Sequence, residues 1–164
     1  VLAICWGMQV AVTAAGGEVK KGTKGSHIGI ANDIELTQDG MKNLMYKDKN
    51  NKFNTPAFNF DEVVAIPNGA VHLASNNINN IQGLHFKSGV SEIWGLQYHP
   101  EITYEKMISI IQFRKDRLIN ERNRFKDEIE IINHINFIKE EINVSDKNSR
   151  MIELRNWLDF IKKN

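Results

Sequence analysis

Val1-Leu2-Ala3-Ile4-Cys5-Trp6-Gly7-Met8-Gln9, followed by the alanine-rich run from Val10 to Ala15, decides the fold. Its first four residues are apolar without a polar break, the pattern of a strand buried on both faces of a parallel sheet. The stretch from Val10 to Ala15 suits a helix, and Gly16-Gly17 suits its end. Cys5 therefore falls where a strand turns sharply into a helix, the geometry of a nucleophile elbow. Such a turn lifts the sulfur clear of the sheet and points the positive end of the helix at it, which favours thiolate over thiol.

A single cysteine on a strand is by itself more often a small core residue than a nucleophile. The segment Gly95-Leu96-Gln97-Tyr98-His99-Pro100-Glu101 changes that reading. A strand-like run from Ile93 to Tyr98 ends at His99, and Glu101 follows two positions later across a proline. Extended residues at i and i+2 point the same way, so the carboxylate can hold the imidazole and fix its tautomer. Cysteine, histidine and an orienting acid are the parts of a nucleophilic acyl-transfer site.

Together the two segments resemble the class I glutamine amidotransferases, whose pattern is a cysteine elbow of the form GxCxGxQ followed later by HPE. Here they read Ala3-Ile4-Cys5-Trp6-Gly7-Met8-Gln9 and His99-Pro100-Glu101. Within that family the stand-alone domains similar to the one in GMP synthetase look closest, and the likeness covers roughly the first two-thirds of the chain. The resemblance implies an α/β fold with a mostly parallel, flavodoxin-like sheet, catalytic roles for Cys5, His99 and Glu101, and an oxyanion donor in the backbone N–H of Trp6. It also implies that Gly7 and Gln9 help hold glutamine. No metal or cofactor is expected.

Three departures from the family pattern bear on the substrate pocket. Ala3 replaces the glycine two before the nucleophile and crowds the turn by a methyl group. His27 stands where an acidic residue of a Glu-x-Gly sequence is expected; it reads as a surface histidine, with a place in the substrate loop as the lesser alternative. In Ala57-Phe58-Asn59-Phe60-Asp61-Glu62-Val63, Asn59 takes the place of a histidine while Asp61 and Val63 hold. An asparagine still hydrogen-bonds a substrate but carries no proton, so Asn59 and Asp61 are pocket candidates, with Asp61 equally able to close a turn.

The bounds of the chain agree with one catalytic domain. Its 164 residues suffice for one sizeable core and hardly for two. With 21 Lys and Arg against 20 Asp and Glu, nothing argues for a nucleic-acid or membrane partner. One cysteine builds no disulfide framework and points to a reducing cytoplasm. There is no apolar run of membrane-spanning length and no secretory start. The chain opens inside what reads as a central strand, so it is expected to be the C-terminal portion of a longer protein. The second oxyanion donor would then lie upstream of Val1, and the chain alone would be impaired.

Between the two motifs, Glu18 to Lys24 reads as a solvated loop and His27 to Leu36 as a strand or hairpin arm. Lys47 to Lys52 reads as a charged loop, and Val71 to Ser75, Ile81 to Phe86 and Glu92 to Tyr98 as three short strands. His72 and His85 on those strands read as structural. After Thr103, glycine and proline disappear and the composition turns helical, which divides the chain into a catalytic portion, 1–103, and a helical extension, 104–164. Tyr104, Ile111, Leu118 and Phe125, with Met107 and Ile108 between, predict one amphipathic helix. Ile131, Ile135, Ile138 and Ile142 predict a second. Met151, Leu154, Leu158 and Ile161 predict a third, after a break that Ser145 or Asp146 caps. These stripes read as core, with a homo-oligomer or partner surface as the sharper alternative.

The function expected from the resemblance is hydrolysis of the glutamine side-chain amide through a cysteine thioester, delivering ammonia to an acceptor on a synthase domain or subunit. The alternatives are a γ-glutamyl amide or peptide hydrolase with the same triad, and a catalytically incomplete binding module.

Overall fold

The structure, a computed structural model, describes residues 1–163. Among the described residues, ten strands and six α-helices follow in order. Leu2–Ile4 forms β1 and Trp6–Ala14 forms α1. Then come β2 (Glu18–Lys21), β3 (His27–Ile28), β4 (Ala31–Leu36), β5 (Lys52–Thr55), β6 (Phe58–Asn59) and β7 (Asp61–Ala65). The last strands are β8 (Val71–Ser75), β9 (Gly83–Ser88) and β10 (Ser91–Leu96).

Six strands make one sheet in the order β1-β10-β9-β8-β4-β5, while β2 with β7 and β3 with β6 form two small ribbons. The α/β class and the strand–elbow–helix start are as expected; the strand directions differ from the expectation of a mostly parallel sheet. Only β1 and β10 run parallel, with Ala3 opposite Gly95, and the other ladders of this sheet are antiparallel. The cause is the connections: a parallel pair needs a long crossover, whereas β8, β9 and β10 follow each other through short turns. Glu18–Lys21, read as a loop, is a strand because it pairs with β7.

The register of β1 against β10 sets the site. The ends of these two strands lie side by side, so Cys5 after β1 and His99 after β10 leave the same edge of the sheet. Helix α1 packs directly over them: Met8 and Val12 are fully buried. Gly95 makes this approach possible, since a Cβ there would come within 2.8 Å of Met8 Cγ. Gly16, at φ 87°, ends the helix.

Among the described residues, the C-terminal part is built of helices joined by short irregular segments. Thr103 Oγ1 accepts the Lys106 N–H and caps α2 (Tyr104–Phe113). The single helix expected to run on to Phe125 is instead broken, with α3 (Lys115–Asn120) following a turn at Arg114 and Phe125 outside both. Asn120 and Asn123 are weak helix formers, and Asn123 takes φ 50°. The seven-residue spacing survived in the sequence because Ile111 and Leu118 still enter one core with Ile28 and Ile30. Helix α4 (Glu128–Val144), capped by Asp127, buries Ile131, Ile135 and Ile138 in that core, as its stripe predicts. Asp146 caps α5 (Lys147–Arg150) through its two oxygens.

Helix α6 (Ile152–Lys163) does not use the predicted face. Leu158 and Ile161 are exposed, while Ile152 and Glu153 are buried and Trp157 and Phe160 pack against the core around Trp94 and Tyr98. The larger aromatic area wins, and Glu153 is admitted because a buried cation meets it. That cation is Lys49, which the sequence placed in a charged loop; its Nζ lies 3.1 Å from both Glu153 carboxylate oxygens. No helix among the described residues is long and apolar enough to cross a membrane.

Candidate active site

Cys5 sits between β1 and α1 with φ 51° and ψ −111°, outside the regions a side-chain-bearing residue ordinarily occupies. Two backbone bonds hold it there. The Cys5 N–H donates to Leu96 O at 2.7 Å, tying the elbow to the end of β10, and the Gln9 N–H donates to Cys5 O at 3.1 Å, starting the helix. The N–H groups of Trp6, Gly7 and Met8 precede the first helical hydrogen bond and so have no partner within α1. The Trp6 ring is exposed to solvent, and a Cβ on Gly7 would meet nothing within 4 Å, so one side of the elbow is open.

His99 follows β10, and its backbone N–H donates to Pro56 O at 2.7 Å. Its Nδ1 lies 2.6 Å from Glu101 Oε1, which directs Nδ1–H at the carboxylate and leaves Nε2 for the thiol. Burial alone pulls the imidazole pKa down; hydrogen bonding to Cys5 and Glu101, with the charge on both, more than reverses this and raises it to about 9. His99 is therefore an imidazolium near neutral pH, paired with sulfur on one side and carboxylate on the other.

The sulfur has two more neighbours. Cys5 Sγ lies 3.8 Å from Phe58 O, and Gln97 Nε2 donates to Sγ at 3.6 Å. Gln97 is fully buried, and its Oε1 accepts from Gln9 Nε2 at 3.1 Å, which turns its amide N–H toward the sulfur. Gln97 is a site residue that sequence reasoning missed. The signal was present: it stands two positions before His99 in an extended run and so shares its side of the strand.

The remaining pocket candidates converge on one carbonyl. Gln9 Nε2 and Asn59 Nδ2 each donate to Asp61 O at 3.0 Å. Asp61 thus enters through its backbone, while its side chain is exposed at the start of β7. Asn59 is buried and also donates to Asn79 Oδ1 at 2.9 Å, in a chain that ends on the buried Glu62 carboxylate. Asn59 therefore supports the floor beneath the elbow from within the protein.

His27 is not a surface histidine. It is buried, 2.9 Å from Gln82 Nε2 and 3.4 Å from Asn76 Nδ2, and burial lowers its pKa to about 4, so it stays neutral. It lines a cavity of about 440 Å³ with Asn76, Arg124, Phe125 and His134, a place that Cys5, His99 and Glu101 do not line. His72 and His85 are held by Ala74 O and by Glu92, away from the thiol.

Residues 1–115 match the family model for glutamine amidotransferase class-I. The chain is similar to a gamma-glutamyl-L-1-hydroxyisopropylamide hydrolase from a Pseudomonas species, at 32% identity over 96% of this chain and 59% of that enzyme. It is also similar to a glutamine-hydrolyzing GMP synthase subunit from Methanosarcina acetivorans, at 32% identity over 65% of this chain and 52% of the relative. A glutamine amidotransferase from Thermotoga maritima, known by its crystal structure, shares the fold with a TM-score of 0.67 and 19% identity, covering 99% of this chain and 62% of that one. The chain thus spans between half and two-thirds of the length of these proteins.

Proposed function

The chain belongs to the class I glutamine amidotransferase family, and on that premise we propose that it cleaves a γ-glutamyl amide, in the first instance the side-chain amide of glutamine, through a thioester on Cys5. The observation that carries this is the meeting of a strained elbow cysteine with an imidazole whose charged form that sulfur and a carboxylate 2.6 Å away together sustain.

In the first step the Cys5 thiolate attacks the carboxamide carbon. Negative charge develops on the carbonyl oxygen, where the Trp6 N–H at the start of α1 receives it; one such donor is worth about a hundred- to a thousandfold in rate. Collapse breaks the C–N bond while His99 gives its Nε2 proton to the departing nitrogen, which leaves as ammonia. Water, deprotonated by the now neutral His99, then attacks the γ-glutamyl thioester, and glutamate departs with the thiolate restored. Glu101 keeps the ring oriented and compensates its charge at each stage. Gln97 donates to the sulfur, Gly7 leaves room for the substrate beside it, and Gln9, Asn59 and the Asp61 carbonyl support the floor. In the amidotransferase reading the ammonia passes to an acceptor on a synthase partner.

A second reading, a hydrolase of γ-glutamyl alkylamides without an acceptor, draws on one observation. The similarity to the Pseudomonas enzyme extends over 96% of the chain, and so into the C-terminal helices, whereas that to the GMP synthase subunit covers 65%. Product analysis separates the two. Free glutamine yielding glutamate and ammonia favours the first. Release of the amine from a γ-glutamyl alkylamide, with glutamine left intact, favours the second, and neither product from either donor contradicts both.

A further inference from the structure

The peptide that carries His99 is gripped from both sides by one short piece of the C-terminal helices. Before it stands Tyr98, fully buried, whose hydroxyl donates to Glu153 Oε1 at 2.6 Å and lies 3.0 Å from the Tyr46 hydroxyl. After it stand Pro100 and Ile102, and Arg150 Nη1 donates to the carbonyls of both, the Ile102 contact being 3.0 Å. Arg150 closes α5 and Glu153 opens α6, so both anchors come from within a single turn of chain. That turn is itself fixed: Lys49 Nζ donates to Ser149 O at 2.8 Å while pairing with Glu153, and its ammonium sits 4.4 Å from the centre of the Phe53 ring.

We propose that the segment from Ser149 to Glu153 is a brace that sets the His99 imidazole against the Cys5 thiol, with Arg150 and Glu153 as positioning residues for the amide cleavage proposed above, on which reading this inference rests. Neither side chain reaches the substrate. Their effect passes through the backbone: Tyr98 is pulled toward α6, Pro100 and Ile102 toward α5, and the peptide between them has no freedom left to swing. A histidine displaced by about 1 Å can lose on the order of a hundredfold in rate, which is the scale at stake in such a brace. The residues that supply it lie beyond the 1–115 span shared with the family at large.

Arg150 is the cleaner handle, because it is only partly buried and its loss leaves no buried charge unpaired. Three variants of the full chain, Arg150→Ala, Arg150→Gln and Arg150→Lys, are compared with the parent by two readings. The first is kcat and KM on a γ-glutamyl amide. The second is the rate at which iodoacetamide alkylates Cys5, followed on the Cys5 peptide by mass spectrometry at one fixed pH, where the rate depends on how the imidazole is set against the sulfur. Arg150→Ala is expected to lower kcat about a hundredfold with KM changed less than about threefold, and to slow alkylation about tenfold. Arg150→Lys, which still donates to a carbonyl, is expected to recover most of both, and Arg150→Gln to fall between; if the alanine protein does not fold, the Gln and Lys pair carries the comparison. Kinetics and alkylation within about twofold of the parent in a folded Arg150→Ala or Arg150→Gln protein would overturn the brace. A parent that alkylates fast yet cleaves no γ-glutamyl amide would instead overturn the amidase reading, and the brace would then stand or fall on alkylation alone.

Discussion

Glu101 Oε1 and His99 Nδ1 are 2.6 Å apart across a single proline, and this contact sets the tautomer of the imidazole and, with Cys5, sustains its charge. Burial works against that charge, yet Cys5 and Glu101 together hold the pKa at about 9. The basic limb of kcat/KM is therefore expected near that value, where His99 loses the proton that the proposed mechanism passes to the leaving nitrogen. In Glu101→Gln the limb should move down toward the ordinary histidine range, measured as a pH–rate profile. A limb that stays in place would separate Glu101 from the ionisation of His99.

The same shift has a consequence for stability. Because the folded pKa lies above the unfolded value of 6.5, the contribution is fully present below about pH 6.5 and is lost as pH rises through about 9. The difference in denaturation midpoint between parent and His99→Gln should accordingly be largest at about pH 6 and shrink by about pH 9.5. A difference independent of pH would contradict the charged pair.

Cys5 stores strain at φ 51°, ψ −111° that only a residue without Cβ escapes. Cys5→Gly is therefore expected to be more stable than Cys5→Ala by about 1 kcal/mol in urea denaturation, although glycine is the more flexible residue when unfolded.

Gln97 is tied to sulfur at 3.6 Å and to Gln9 at 3.1 Å. Gln97→Met keeps the length and removes the donor beside the sulfur without burying a charge, while Gln9 Nε2 retains Asp61 O as its acceptor. A hydrogen bond to a charged group is worth about 1.5–3 kcal/mol, so kcat/KM should fall by about ten- to a hundredfold with little change in melting temperature. An equal loss of stability would make its role one of packing.

The buried pair of Lys49 and Glu153 predicts a non-additive cycle. Glu153→Gln strands an ammonium in the core and should cost about 3–5 kcal/mol. Adding Lys49→Met should recover more than half of that in chemical denaturation, because the uncompensated charge is gone. Additive losses would mean that the pair contributes little.

The elbow and the histidine loop were legible in the sequence because their chemistry is local: a run of four apolar residues, a cysteine, and a His-Pro-Glu whose spacing acts within three positions. What escaped the sequence depends on partners far along the chain. Lys49 looks like a loop lysine until Glu153, more than a hundred positions later, is folded against it. His27 looks solvated until Gln82 and Asn76 enclose it. Helix α6 presented two apolar faces, and the choice fell to Trp157 and Phe160 because Trp94 and Tyr98 offered the larger apolar surface. The strand directions followed from connection lengths that a search for apolar runs does not weigh.

The most direct measurement is interception of the covalent intermediate. The full protein is incubated with a γ-glutamyl amide in the presence of hydroxylamine, which attacks a thioester in place of water. Formation of γ-glutamyl hydroxamate by the parent, and its loss in Cys5→Ala and in a His99→Gln variant, is the predicted result. Hydroxamate formed equally well without the Cys5 sulfur, or product released by the parent with no hydroxamate at any hydroxylamine concentration, would contradict the thioester on which the proposed chemistry depends.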